Sequence, residues 1–168
     1  MIKEMNEMDN KIDTNNLNNY SIGINLFKWL LSNLKKGSTI LEFGSGYGSL
    51  EMSKCFEVYS VEQNREWVNK FEDVNYIFSP IDPQTKFYES SFLTLVPDHY
   101  DAILLDGPAG HGREGIFQYL DDLNTNVPIA IDDTHRFNEA NFAIQLASRL
   151  KKKILHIPEF DKSSAILL

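Results

Sequence analysis

ILEFGSGYGSL, residues 40–50, decides how the rest of the chain is read. A short apolar run carries an acid, Glu42, and gives way to Gly44, Gly46 and Gly48 at alternate positions. An apolar run of that length, closed by glycines, reads as a buried strand. Glycine in the following turn permits positive φ and lets a ligand approach the backbone. A helix starting there offers unpaired N–H groups to that ligand.

Outward from this turn, helix and strand signals alternate. Upstream, SIGINLFKWLLSNLKKG (21–37) sets Ile22, Leu26, Trp29 and Leu30 near helical spacing, with Gly37 as its stop. Downstream, YGSLEMSKC (47–55) predicts a helix and EVYSVEQ (57–63) a strand. NREWVNKFE (64–72) predicts a helix capped by Asn64. VNYIFSPI (74–81) and YDAILLDG (100–107) predict strands, REGIFQYLDDL (113–123) a helix, and VPIAIDDT (127–134) a strand. HRFNEANFAIQLASRLKK (135–152) predicts the longest helix, and KILHIPEF and SSAILL a closing hairpin around Asp161-Lys162. The expected fold is α/β: a Rossmann-like, doubly wound, mostly parallel seven-stranded sheet, helices on both faces, with a C-terminal antiparallel hairpin. Residues 1–20, with six asparagines, read as a polar flexible arm, and 21–168 as one domain. The long irregular stretch 82–99 reads as a functional loop with a short helix near Phe92 to Leu95.

Composition narrows the function. Sixteen Lys and Arg against twenty-four Asp and Glu give a formal charge of -8, which disfavours a nucleic-acid partner. The run Lys151-Lys152-Lys153 sits at a helix end and suits the helix dipole. Cys55 is the single cysteine, so no disulfide forms within the chain, as expected of a cytoplasmic protein. No apolar run reaches the roughly 18 residues of a membrane span, and the N-terminal residues lack a signal-peptide core. No membrane partner is expected, and the sequence leaves the oligomeric state unassigned.

Two ligands compete for the glycine turn. The dinucleotide register G-x-G-x-x-G places Ser49 at its third small position, which leaves a nicotinamide-dependent oxidoreductase as an alternative. The register Glu42-x-Gly44-x-Gly46-x-Gly48 resembles the first motif of class I S-adenosylmethionine-dependent methyltransferases. Glu62 ends the next strand, 18 residues after Gly44, and a carboxylate there can accept both ribose hydroxyls. The resemblance implies S-adenosyl-L-methionine as cofactor, held by Glu42, Gly44, Ser45, Gly46, Gly48, Glu62, Gln63, Ser79 and Asp106. In that family Glu42 would help hold the cofactor's amine and the Ser79–Ile81 step would frame the adenine.

The acceptor chemistry should lie at the next two strand ends, LLDGPAGHGR and IAIDDTHR. The N/D-P-P-Y/F motif of base-methylating enzymes is absent there, which favours a small-molecule acceptor, carbohydrates included. Asp106 and one of Asp132 and Asp133 would be neighbours on adjacent strands and could share Mg²⁺ through oxygen ligands. The rival reading has Asp132 or Asp133 cap the long helix. Asp106, Asp133, His111 and His135 are the candidate catalytic residues, either histidine serving as base. The pattern Asp106-x-Pro108-x-Gly110, Arg113, Ile116-Phe117, Asp133, Arg136, Glu139 resembles more narrowly the polysaccharide-biosynthesis family of glucuronoxylan 4-O-methyltransferases. That likeness implies Arg113 and Arg136 as clamps for a sugar carboxylate and O-methylation of a sugar or sugar acid. Residues 1–20 and 82–99 would then cover the site. A non-catalytic, cofactor-binding scaffold is the other alternative.

Overall fold

The computed structural model describes residues 21–108 and 112–168; the arm 1–20 and His111 lie outside them. Helix α1 (Ile24–Asn33) leads into β1 (Thr39–Phe43), α2 (Tyr47–Ser53), β2 (Glu57–Glu62) and β3 (Val74–Phe78). A 3-10 turn at Ser90–Thr94, β4 (Ala102–Leu105), a 3-10 turn at Arg113–Gln118 and β5 (Ile129–Ile131) follow. Helix α3 (Phe137–Leu150) and the hairpin β6 (Ile154–Pro158) and β7 (Ser163–Leu167) complete the chain.

The seven strands form one sheet in the order β3-β2-β1-β4-β5-β7-β6. The pairs β3–β2, β2–β1, β1–β4 and β4–β5 are parallel, and β7 runs antiparallel to β5 and β6. This is the doubly wound sheet that the sequence predicts. The strand order reverses at β1, which opens a crevice beyond the carboxyl ends of β1 and β4.

Period-two alternation divides the core. Ile40, Leu104, Ala130 and Ile166 face α1 and α2, packing on Leu26, Phe27, Leu30 and Met52. Leu41, Phe43, Ile103, Leu105, Ile129 and Ile131 face the other way, toward α3 and the segments before and after β4. Both sheet faces are covered, so the central strands read as continuous apolar runs.

Four local expectations change. The segment 113–123, expected as a helix, forms only a 3-10 turn at Arg113–Gln118 followed by turns. Helix α1 stops at Asn33, and Lys35 and Lys36 lie in the turn closed by Gly37, whose N–H donates to Cys55 O at 2.8 Å. Residues 64–72 form successive turns instead of a helix. Asn64 Oδ1 accepts the Glu66 N–H at 3.0 Å, and Asn69 at φ +61° breaks any helical continuation. The stretch 82–99 is anchored in the core by three aromatics, and none of its residues lines the cavity of the candidate site. Phe87, Tyr88 and Phe92 are fully buried and their rings lie 5.4, 5.7 and 5.4 Å from that of Phe43. Apolar aromatic area of that size outweighs any tendency of the segment to stay in solvent. Cys55 is a free, buried thiol. No helix among the described residues is long and apolar enough to cross a membrane.

Candidate active site

The turn after β1 is shaped by what it touches. Gly44 has φ +91°, and a Cβ there would lie 2.7 Å from the Gly107 nitrogen. The turns after β1 and β4 therefore lie back to back, with no room for a side chain between them. Gly48 serves packing instead. A Cβ on it would come within 3.1 Å of Ile22, so the glycine lets α2 rest on the segment before α1.

Ser49 fixes the turn from below. Its hydroxyl donates to Glu42 Oε2 at 2.7 Å and accepts the Gly46 N–H at 3.0 Å. Glu42 is only 1% exposed. Burial pushes its carboxyl up to about 8, against the Ser49 hydrogen bond that lowers it; the charges of Asp106 and Glu62 raise it further. Glu42 thus acts on the turn through Ser49 and lies behind the cavity, not on its wall. Ser79 is also buried, and its hydroxyl donates to Glu89 O at 3.1 Å.

Glu62 holds the next loop. Its Oε2 accepts the Ser45 N–H at 2.8 Å and its Oε1 the Asn64 N–H at 2.6 Å. Each carboxylate oxygen keeps a second lone pair. Beside it, Gln63 Oε1 is buried with no hydrogen-bond partner, an acceptor or rotated amide that a ligand would satisfy.

At the ends of β4 and β5, Asp106, Asp132 and Asp133 each place a carboxylate oxygen within 4.8 Å of the others. Pairing of β4 with β5 brings them together, as expected. The capping alternative does not hold: the α3 N-cap is Arg136, with no side-chain cap hydrogen bond. Asp133 sits at φ +63°, a strained conformation for a residue with a Cβ.

Three cations face these three acids. Arg113 is 5% exposed. It donates to Asp132 O at 2.6 Å and to Asp106 O, and stands 3.6 Å from Asp106 Oδ1 and 3.4 Å from Asp133 Oδ2. It clamps the ends of β4 and β5. Arg136, with a side chain 55% exposed, lies 3.0 Å from Asp133 Oδ2. Lys162 donates to Asp132 Oδ2 at 2.7 Å. Burial is the largest influence on Asp106, pushing it up to about 7; the charge of Asp132 adds to this and that of Arg113 opposes it.

A two-lobed cavity runs over these groups. One lobe, of about 360 Å³, reaches from Glu62, Gln63 and Trp67 to Asp106, Arg113 and Glu139. The other, of about 260 Å³, is walled by Ser21, Gly46, Trp67, Asp132, Arg136 and Lys162. Gly44, Ser45, Gly46, Glu62, Gln63, Asp106, Asp132, Asp133, Arg113 and Arg136 all line one lobe or the other. His135 is exposed and lines neither lobe.

Lys162, Trp67 and Glu139 are among the wall residues that sequence reasoning left without a role. Lys162 was readable in principle. A strand that returns antiparallel beside β5 begins where β5 ends, so the residue before it must reach the site. Trp67 borders both lobes, held edge-on to Tyr47 at 5.8 Å. Glu139 is 7% exposed, on the first turn of α3.

Solved structures share this architecture. One is the O-methyltransferase TomG from Streptomyces achromogenes, in complex with SAM: TM-score 0.59, 15% identity, over 86% of this chain and 78% of that one. Another is the C-terminal domain of precorrin-6Y C5,15-methyltransferase from Rhodobacter capsulatus: TM-score 0.58, 11% identity, over 82% and 83%. The SAH-bound methyltransferase PaMTH1 from Podospora anserina aligns with TM-score 0.56 and 20% identity over 77% and 70%. The fold is that of class I methyltransferases. No family model matches the sequence, and no curated protein matches it. Within this methyltransferase fold, the narrower likeness to glucuronoxylan 4-O-methyltransferases finds no support.

Proposed function

We propose that this protein is an S-adenosylmethionine-dependent methyltransferase acting on a hydroxyl of a small polar acceptor, a sugar or sugar acid being the class that suits it. The observation that carries this reading is the cavity itself. It runs from a ribose-type carboxylate, Glu62, past a turn with no room for a side chain, to a partly exposed acid with raised pKa, Asp106.

The residues present fit the cofactor. Glu62 keeps lone pairs for two ribose hydroxyls, Gln63 Oε1 awaits a partner, and Gly44, Ser45 and Gly46 bring backbone to the amino-acid end. The acid-rich wall suits a ligand that carries a sulfonium and an amine. It repels the pyrophosphate that a nicotinamide cofactor would place on this turn, and Ser49 is already bonded to Glu42 beneath it. Bound here, S-adenosyl-L-methionine would supply an electrophilic methyl carbon.

The chain's own residues then position and deprotonate the acceptor. Asp106 borders both lobes, and a carboxylate raised to about 7 is a stronger base than an ordinary aspartate. Its Oδ would take the acceptor's hydroxyl proton. Arg136, exposed over half its side chain, is the arginine able to reach an acceptor carboxylate; Arg113 is committed to the strand ends. The aromatic face of Trp67 would back a sugar ring.

The test is thermal stability with S-adenosylhomocysteine against NADH. At ~100 times its Kd a ligand adds about 2.7 kcal/mol, which raises the melting point of a domain this size by roughly 5 to 11 °C. A shift with S-adenosylhomocysteine supports the reading; a shift with NADH alone overturns it.

A further inference from the structure

The acid cluster contains its own counter-ion. Lys162 precedes β7, and β7 runs antiparallel to β5 with Ala165 opposite Ile131. That register carries Lys162 to the carboxyl end of β5, where Asp132 and Asp133 follow. The Glu159 N–H, bonded to Lys162 O at 2.9 Å, closes the hairpin turn that presents it. Lys162 Nζ donates to Asp132 Oδ2 at 2.7 Å and to Ser21 O at 2.6 Å, and stands 3.8 Å from Asp133 Oδ1. Its three donors face three oxygens.

The acids have little left to offer a metal. Asp132 is 1% exposed and its other oxygen, Oδ1, accepts Ser164 Oγ at 2.6 Å. Asp133 Oδ2 meets Arg113 and Arg136 at 3.4 and 3.0 Å. Mg²⁺ demands near-octahedral oxygens at about 2.0–2.1 Å. It would have to expel an ammonium from Asp132 and add two charges where three cations already oppose three acids. The residues present do not fit a resident divalent ion.

We propose that Lys162 is a positioning residue of the acceptor lobe, its ammonium occupying the place a divalent cation would take, so that this site works without metal. This rests on the reading of the second lobe as the acceptor site. Lys162 neutralises Asp132 and holds it against Asp133. It also ties the hairpin to the chain leading into α1 through Ser21.

The test does not require an acceptor. Mg²⁺ and Mn²⁺ are titrated by calorimetry into the 168-residue chain and into Lys162→Met and Lys162→Arg, with S-adenosylhomocysteine binding measured on the same samples. The wild type and Lys162→Arg are expected to give no saturable metal binding at millimolar concentrations. Lys162→Met leaves Asp132 buried without a cation and is expected to gain a metal site that a further Asp132→Asn removes. A purely structural lysine would not produce that gain. Saturable Mg²⁺ binding by the wild type, lost in Asp132→Asn, overturns the proposal even if Lys162→Met does not fold. So does a folded Lys162→Met that takes no metal. Loss of the cofactor reading would register separately, as absent heat with S-adenosylhomocysteine while the metal titrations stand.

Discussion

Around Glu62 the cavity is shaped by backbone; around Asp132 it is shaped by side chains. In the first region a carboxylate grips two loop N–H groups, a serine caps the Gly46 N–H, and a glycine meets another glycine. Residues 42–64 supply nearly all of it. In the second region, ion pairs and charged hydrogen bonds join segments near residues 21, 106, 113, 132 and 162. The first is a property of one strand-turn-helix unit and its neighbour. The second exists only once the whole sheet is assembled. A ligand common to many proteins suits the first, and a specific acceptor suits the second.

The largest expected effect separates the two regions cleanly. Asp106→Asn should lower turnover by roughly 100- to 10,000-fold, the range of lost acid-base catalysis, and leave S-adenosylhomocysteine affinity within a small factor. Steady-state rates and calorimetry on one preparation check both halves. Glu62→Gln should do the reverse. Losing a charged hydrogen-bond partner costs about 1.5–3 kcal/mol, or roughly 10- to 100-fold in S-adenosylhomocysteine affinity, with turnover restored at saturating cofactor. If Glu62→Gln instead depressed the saturated rate as Asp106→Asn does, the division into two regions would fail.

Gly44→Ala attacks the seam between them. A side chain at positive φ costs roughly 1–2 kcal/mol, and the collision with Gly107 adds to that. The melting point should fall by at least roughly 2 to 8 °C.

Acidity sharpens the comparison further. Glu42 and Asp106 both have folded-state pKa values above their ordinary ones, at about 8 and about 7. Between the ordinary and the raised values the folded protein binds more protons than the unfolded one, so stability falls as pH rises. Melting temperature should therefore decline from about pH 4 to about pH 8 on account of these groups. Glu42→Gln should raise it at the upper end and leave it unchanged at the lower. His135→Ala should change neither stability nor turnover, since that side chain lines neither lobe.

The same division governs what the sequence made legible. The alternation of strands and helices, the glycine turn, Glu62 and the meeting of Asp106 with Asp132 and Asp133 follow from periodicity and from the rule that parallel strands end on one side, whereas the strand order is set by the assembled sheet. Lys162 and Ser21 lie far from those motifs in sequence and meet only when β7 pairs with β5, and Trp67, five residues after Glu62, reaches the wall only through the folding of the 64–72 turns. Arg113 read as an acceptor clamp because its type suits carboxylates. Backbone carbonyls at two strand ends compete for the same donors and hold it instead. The 82–99 stretch misled for a related reason. Its length suggested a cover, whereas three aromatic rings draw it into the core.

The contact of Gly44 with Gly107 has a thermodynamic consequence. Two turns pressed together without an intervening side chain cannot shift one at a time; both border the first lobe, and Asp106, beside Gly107, also borders the second. Whatever displacement the first ligand imposes is already made when the second arrives. The two affinities are then linked, and by reciprocity each ligand changes the other's binding constant by the same factor. Titrating acceptor candidates with and without S-adenosylhomocysteine would measure that factor. A value of one would mean that the seam transmits nothing.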